Sequence, residues 1–529
     1  MASMRAILLW LPFLFPCLLP AQSRFDVVIT GGRILDGTGN PWFYADVGIK
    51  GDTIAAVGNL RDATAGVKLN AEGAIVAPGF IDIHNHGIGG IFKNPHAENL
   101  IRQGVTTVIE GNDGSSPLPL APFLSKLSGT QIAVNFGLFV GHGTLRRTVI
   151  GMENRRATEE EIRKMAELAR QAMLDGAFGL STGLFYVPGN YAATEEVIEI
   201  AKVVGQHGGM HISHMRDESA DIVSSVRETI RIGEEGGLPT QVSHHKVIGA
   251  KNWGLSSETI RLVAEARARG VDVTIDQYPY TASSTGTGAL FPQWSMAGGH
   301  EALLERLEAP EQRARIRQAI ITNILENRGG GDPKNIFLAS CKEPGLTGKN
   351  LAQIAVERKL APTAENAADI AIEIQKKGGC SAVYHAISED DIARIMAYPF
   401  TMVASDGGIP TFGEDVPHPR NYGAFARVLG RYVREKKILT LEDAVRRMSS
   451  LPAQRLKLFD RGLLRPGMKA DIVVFDPEKI VDKAEFLHPH QYAEGVRHVL
   501  VNGQVVLQDA RMTGALPGRV LYGPGKQER

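Results

Sequence analysis

The sequence predicts an α/β protein: a (β/α)8 barrel of the TIM type, with a small β-sandwich domain assembled from both chain ends and an insertion between barrel strands seven and eight. Three observations carry that expectation. Eight apolar, strand-like runs recur along the middle of the chain, each ending in a polar residue and followed by a helical pattern. Short alternating strands with turns occupy residues 25–75, and the same vocabulary returns near the C-terminus. The eight runs are evenly spaced except for one interval that is far too long.

Taken in order, the first 23 residues read as an address rather than as fold. Arg5 precedes an apolar run at residues 6–20, and Ala21-Gln22-Ser23 supplies the small and polar residues of a secretory cleavage site. The run is short for a bilayer span, and Pro12, Pro16 and Pro20 weaken it as a helix. The expectation is a signal peptide over 1–23 and a secreted or periplasmic protein, free of the membrane after cleavage. Cys17 leaves with that segment, so Cys341 and Cys380 are the cysteines of the mature chain. Export permits them to pair, yet two cysteines form neither a disulfide framework nor a zinc ribbon.

Composition narrows the partners. Of 529 residues, 43% are apolar and 22% charged, which excludes disordered, collagen-like and multi-pass membrane chains. With 58 Lys+Arg against 58 Asp+Glu there is no broad positive field for nucleic acid or an anionic surface. A small-molecule substrate is expected instead; the oligomeric state is not written in the sequence.

Residues 24–75 together with 466–529 are read as the sandwich, from Phe25-Asp26-Val27-Val28-Ile29 at one end to His498-Val499-Leu500-Val501 at the other. Between them, residues 76–465 hold the barrel. Its strand-like runs end at or just before His84, Asp113, His142, Ser181, His214, His244, Asp276 and Asp406, at intervals of 29, 29, 39, 33, 30, 32 and 130 residues. A barrel of about 250 residues has units of about 31, so the last interval carries an insertion of roughly 100. That excess spans 284–380, includes a charged helical stretch at 301–327, and is read as a lid-like subdomain over the barrel mouth. Among the intervening helices, Thr158 and Glu161 have the spacing of a capping box, with Met165, Leu168 and Met173 as an apolar face.

The chemistry begins at Gly79-Phe80-Ile81-Asp82-Ile83-His84-Asn85-His86-Gly87. Residues i and i+2 of a strand share a face, so His84 and His86 can share one metal. His214 and His244 lie one βα unit apart, and each follows a run ending in serine. Asp113 and Asp406 occupy equivalent strand ends. Active sites of such barrels lie at the C-terminal strand ends, so these six side chains are expected to converge. Imidazole and carboxylate without cysteine suit Zn²⁺, as one or two ions, with Mn²⁺, Co²⁺ or Fe²⁺ allowed by ligand type. A metal there lowers the pKa of water towards about 7 and polarises a carbonyl, while Asp406 moves the proton to a departing amine.

Further segments are Gly141-His142-Gly143-Thr144, Ser213-His214-Met215-Arg216-Asp217-Glu218, Ser243-His244-His245-Lys246, Tyr278-Pro279-Tyr280, Ala404-Ser405-Asp406-Gly407 and His418-Pro419-Arg420-Asn421. Together with the first motif they resemble the D-aminoacylases (N-acyl-D-amino-acid deacylases) of the amidohydrolase superfamily, over residues 25–505. The resemblance implies hydrolysis of N-acyl-D-amino acids, with His84 and His86 as one metal pair, His214 and His244 as the other, and Asp406 as the catalytic carboxylate. It further implies that Lys246, with Tyr278 or Tyr280 and Arg420, meets the substrate α-carboxylate. One departure stands out. Where this family usually has Gly-Asn-Cys-Gly, this chain has Gly111-Asn112-Asp113-Gly114, so Asp113 takes the place of a thiolate ligand. That leaves metal identity, and one ion or two, open.

Glu110 is a weaker substitute ligand, since an odd offset from Asp113 aims it outward on a strand. His142 is expected beside the site rather than in it, and His245 turns away from His244. His96, His207, His211, His300, His385, His488, His490 and His498 show no register with the strand ends. Competing readings keep the barrel but change the substrate, to a cyclic amide (as in dihydroorotase or hydantoinase) or a dipeptide, or drop catalysis altogether.

Overall fold

A computed structural model describes residues 24–526; the segment expected to be a signal peptide, residues 1–23, lies outside the described residues. Eight parallel strands form the barrel: Phe80–Asp82, Val105–Glu110, Asn135–Leu138 continued by Val140–Gly141, Gly179–Gly183, Met210–His214, Thr240–Val242, Val273–Gln277 and Thr401–Val403. Their residues are buried throughout, as expected of strands covered by helices. The first and eighth strands are sealed by a parallel bridge between Asn85 and Gly407. His86 N donates to Gly407 O (2.6 Å) and Asp406 N to His84 O (2.9 Å), so the seam runs through the predicted site residues themselves.

The helix over Glu159–Asp175 illustrates how local sequence sets an element. Thr158 accepts from Glu161 N, Glu161 accepts from Thr158 N (2.8 Å), and Gly176 ends the helix at φ 118°. Met165, Ala169, Ala172 and Met173 are its buried face, while Leu168 is half-buried at the edge.

Both chain ends meet in one nine-stranded sheet. Ile75–Pro78 pairs with Arg24–Ile34 on one side and with Ile472–Phe475 on the other, which joins the N-terminal strands to the C-terminal ones. Alternation divides the work: Val76 and Val474 point into the sheet domain's own core, whereas Ile75, Ala77, Val473 and Phe475 pack against the barrel. Gly79 then turns the chain into the first barrel strand. A Cβ there would meet Thr106 Oγ1 at 2.3 Å, so only glycine lets the two backbones approach. After the sheet, residues 518–523 run back beneath the barrel, where Gly518 N donates to Ile132 O and Leu521 N to Phe136 O, each at 2.8 Å.

The insertion between the seventh and eighth strands has its own antiparallel sheet, Ser283–Gly286, Ile336–Cys341 and Cys380–Tyr384, and its own core around Leu303, Ile320, Ile336 and Ile372. The expected helical stretch is two helices, His300–Glu308 and Pro310–Glu326; Pro310 cannot continue the first and opens the second. Cys341 and Cys380 face each other across the ladder and form a disulfide.

Where sheet domain meets barrel, Asp471 is buried and accepts from Arg461, from Asn135 Nδ2 (3.1 Å) and from Asn502 N (2.7 Å). Asp471→Ala strands the Arg461 guanidinium without its carboxylate, at a cost of about 3 kcal/mol or more. A clear fall in the thermal unfolding midpoint is the expected outcome; an unchanged midpoint would show that the junction is not held by this pair.

Candidate metal centre

The six predicted side chains meet at the mouth of the barrel. His84 and His86 continue the line of the first strand, and their Nε2 atoms lie 3.3 Å apart. Asp406, beyond the eighth strand, places Oδ1 3.7 Å from His84 Nε2 and 3.2 Å from His86 Nε2. His214 ends the fifth strand and His244 follows the sixth, with His214 Nδ1 2.7 Å from His244 Nε2. Asp113 stands between the pairs. Its Oδ1 is 3.4 Å from His84 and 3.3 Å from His244; its Oδ2 is 3.5 Å from His86 and 3.4 Å from His214. The ligand atoms thus form two groups that share one carboxylate: His84, His86, Asp113 and Asp406, and Asp113, His214 and His244.

The backbone is bent to achieve this. Asp113, His244 and Asp406 have φ of 55°, 34° and 48°, the left-handed region that non-glycine residues seldom adopt. Each lies just past a strand end, and the turn swings its side chain over the barrel axis. Around Asp113 the space is so tight that a Cβ on Gly111 would strike Phe139 O at 2.4 Å.

Neighbouring groups orient the ligands. His84 Nδ1 meets Ser243 Oγ at 2.7 Å. Buried Asp276 accepts from His244 N (2.7 Å) and Gln241 Nε2 (2.5 Å), fixing the turn that carries His244. Glu218 lies 3.2 Å from His244 Nδ1 and 3.6 Å from His214 Nε2, and accepts from Lys246 Nζ at 2.5 Å. Sequence reasoning assigned no role to Glu218, Asp276 or Ser243; the signal was the place of Glu218 and Ser243 near the strand-end histidines and of Asp276 at a strand end of its own. Glu110 is not in the cluster. Its oxygens accept from Gly87 N (2.6 Å) and Ile88 N (3.2 Å), fastening the loop that follows His86, and burial raises its pKa to about 7.

The predicted substrate-binding residues divide. Lys246 and Arg420 are buried at the cavity wall, but both are engaged: Lys246 with Glu218 and with His244 O (2.9 Å), Arg420 Nη1 with Asp406 Oδ2 (2.7 Å). Both cations lie over the Tyr278 ring, whose buried hydroxyl has no hydrogen-bond partner among the described residues. Tyr280 is turned aside, its hydroxyl 3.5 Å from Asp482. His142 is buried against Glu196 (2.9 Å), and His245 against Thr259 (2.8 Å), apart from the cluster.

Charge explains why these groups suit a cation. Burial works against an ionised Asp113, yet His244, His84 and His214 hold its carboxyl well below the usual range. Burial likewise opposes charge on His86, but Asp113 and Asp406 outweigh it and lift the imidazole to about 10. His244 rises to about 9, with Asp113 and Glu218 overriding burial and Lys246. His214, where burial dominates, falls to about 4. Buried Asp113 Oδ1 accepts no hydrogen bond although two imidazole nitrogens face it within 3.4 Å. A carboxylate ringed by imidazoles that need protons to sit there is a place where a metal cation can replace those protons, and nitrogen with oxygen donors suits zinc. The cluster opens into a cavity of about 640 Å³ whose walls include Tyr186, Ser284, Arg328, Ser381, His418 and Arg420.

A closed eight-stranded βα barrel with two cation-binding groups at its C-terminal mouth defines a class of barrel proteins built around divalent metal. The chain matches the Amidohydrolase family over residues 69–288 and 344–507. It is 40% identical to the D-aminoacylase of Alcaligenes xylosoxydans xylosoxydans, across 94% of this chain and 98% of that one. Among solved structures, D-aminoacylase, described with a binuclear metal centre, superposes with a TM-score of 0.80 at 38% identity, covering 94% and 100% of the two chains. The N-acyl-D-glutamate deacylase of Bordetella bronchiseptica, complexed with zinc and a phosphonate inhibitor, gives 0.81 at 34% identity, covering 95% and 100%. This chain belongs to the amidohydrolase family and, within it, to the D-aminoacylases.

Ion uptake must expel the protons that His86 and His244 hold in the ion-free protein up to pH about 10 and about 9. Adding Zn²⁺ at pH 7.5 is therefore expected to release protons from both imidazoles, with apparent affinity rising by up to about a hundredfold per pH unit below pH 9. Calorimetry in buffers of different ionisation enthalpy checks this; uptake without proton release would contradict the charge assignment.

Proposed function

We propose that this chain hydrolyses the amide bond of N-acyl-D-amino acids, giving a D-amino acid and a carboxylic acid, with divalent metal held at the double cluster. The observation that carries the reading is the shared carboxylate: Asp113 links a His84–His86–Asp406 group to a His214–His244 group in a chain 40% identical to a D-aminoacylase. His84, His86, Asp113 and Asp406 would hold one ion, and Asp113, His214 and His244 a second, with zinc the first expectation. When bound, such an ion acidifies a water and polarises the scissile carbonyl.

Asp406 is the proton carrier. Despite burial, Arg420 and His86 keep its carboxyl ionised, so at neutral pH it is a base with Oδ1 turned to the cluster and Oδ2 held by Arg420. It takes a proton from the attacking water and returns it to the departing amine nitrogen. Substrate anchoring falls to Lys246, Tyr278 and Arg420. The free Tyr278 hydroxyl donates to the α-carboxylate, and the two cations over its ring supply the matching charge. Tyr280, which faces Asp482, has no part in this.

Export is part of the proposal. The apolar N-terminal run, and a Cys341–Cys380 bridge of the kind that persists in oxidising compartments, both support a secreted or periplasmic protein.

The test is hydrolysis of a matched panel of N-acetyl-D- and N-acetyl-L-amino acids with the metal content measured alongside. Turnover of the D series alone is expected. Asp406→Asn should lower kcat by about 10²–10⁴-fold while the imidazoles and Asp113 retain metal. An Asp406→Asn enzyme that kept most of its activity would remove the proton-carrier role.

A further inference from the structure

Three buried cations line the main cavity: Lys246, Arg328 and Arg420. Two are committed, Lys246 to Glu218 and Arg420 to Asp406. Arg328, supplied by the insertion, is not. Its guanidinium makes no hydrogen bond among the described residues, and its nearest carboxylate oxygen is Glu218 Oε2, 3.8 Å away. Glu218 already has Lys246 as its counter-ion, so Arg328 is a surplus positive charge at only 5% exposure. A buried guanidinium that makes no hydrogen bond and shares a single carboxylate with a second cation is costly, and it lines the cavity through which an anion can reach it.

The residue is held in place for such a task. Arg328 N donates to Asn323 Oδ1 (3.2 Å), Asn323 Nδ2 to Ala289 O (3.0 Å), and Asn335 Nδ2 to Gly329 O (3.0 Å), which ties the turn to the rest of the insertion. The guanidinium lies 4.3 Å over the Phe185 ring, and that ring stacks on His214 of the metal cluster at 5.8 Å and 29°. Arg328 therefore reaches the mouth from the His214 flank, whereas Arg420 reaches it from the Asp406 flank. It also stands where the main cavity adjoins a second one of about 320 Å³, walled by Leu290, Phe291 and Gln293.

Two cations on opposite flanks of one metal cluster fit a substrate with two carboxylates. Resting on the proposed deacylase activity, we propose that Arg328 receives the side-chain carboxylate, and that this chain selects N-acyl derivatives of acidic D-amino acids over neutral ones. A guanidinium binds a carboxylate through two parallel hydrogen bonds, which neither a neutral amide nor an alkyl side chain can replace.

The experiment compares kcat/KM of the zinc-loaded full-length enzyme on N-acetyl-D-glutamate, N-acetyl-D-aspartate and the isosteric N-acetyl-D-glutamine. The wild type should favour D-glutamate over D-glutamine by a factor of about ten to a hundred, the range of a charge-assisted hydrogen bond. In Arg328→Met that ratio should fall to near one, chiefly through KM, and Arg328→Lys should keep part of it. Metal content and unfolding midpoint establish that each variant is folded, and the wild-type ratio needs no variant. Equal or better turnover of D-glutamine by the wild type would overturn the assignment, as would a loss in Arg328→Met that is the same for acidic and neutral substrates. Failure to hydrolyse any N-acyl-D-amino acid would overturn the proposed function itself, and this assignment with it.

Discussion

Asp113 has to face four imidazoles at once, and the mouth of the barrel is built around that requirement. Each oxygen serves one histidine from each pair: Oδ1 faces His84 and His244, Oδ2 faces His86 and His214. Such a bridge is possible only if strands far apart in the chain end at the same height, which the closed barrel provides. It also needs the left-handed backbone at Asp113, His244 and Asp406, conformations that persist only where the surroundings dictate them. A thiolate offers one atom where a carboxylate offers two, so aspartate at this position keeps the bridging geometry while hardening the ligand set.

Around this centre, buried charges come in pairs. Lys246 answers Glu218 and Arg420 answers Asp406, so the cations proposed to hold substrate also stabilise acids within and beside the candidate metal cluster. In a low-dielectric mouth these pairs interact strongly, and a carboxylate-bearing substrate has to share them. The insertion closes the remaining wall with residues of its own sheet, among them Ser284 and Ser381, and adds Arg328 from the turn after its second helix. The candidate metal-binding side chains thus come from the barrel, and part of the cavity wall comes from the insertion.

Much of this was legible in the sequence because its periodicity is strong. The i, i+2 spacing of His84 and His86, and the near-constant unit length to His214 and His244, depend on strand geometry and barrel closure, which a linear pattern records. The fold class was readable for the same reason, including the sheet built from both chain ends. What a linear pattern does not record is direction beyond a strand. Parity along the second strand sends Glu110 away from Asp113, but that strand ends at Glu110 and Asp113 sits in a left-handed turn past it, so Glu110 faces the His86 loop instead. Tyr278 and Tyr280 could not be separated by sequence, and only the packing shows one hydroxyl free and the other directed to Asp482. That Glu218 and Arg328 stand on one wall was not legible, because they are 110 positions apart and Arg328 lies inside the inserted subdomain.

Anomalous diffraction from zinc-loaded crystals, recorded across the zinc edge, tests the central claim most directly. The account predicts signal at the barrel mouth, with His84, His86 and Asp113 on one side and Asp113, His214 and His244 on the other, at about 2.0–2.2 Å from the ion or ions. Signal confined to other parts of the molecule, with these imidazoles bonded only to water and to one another, would contradict it.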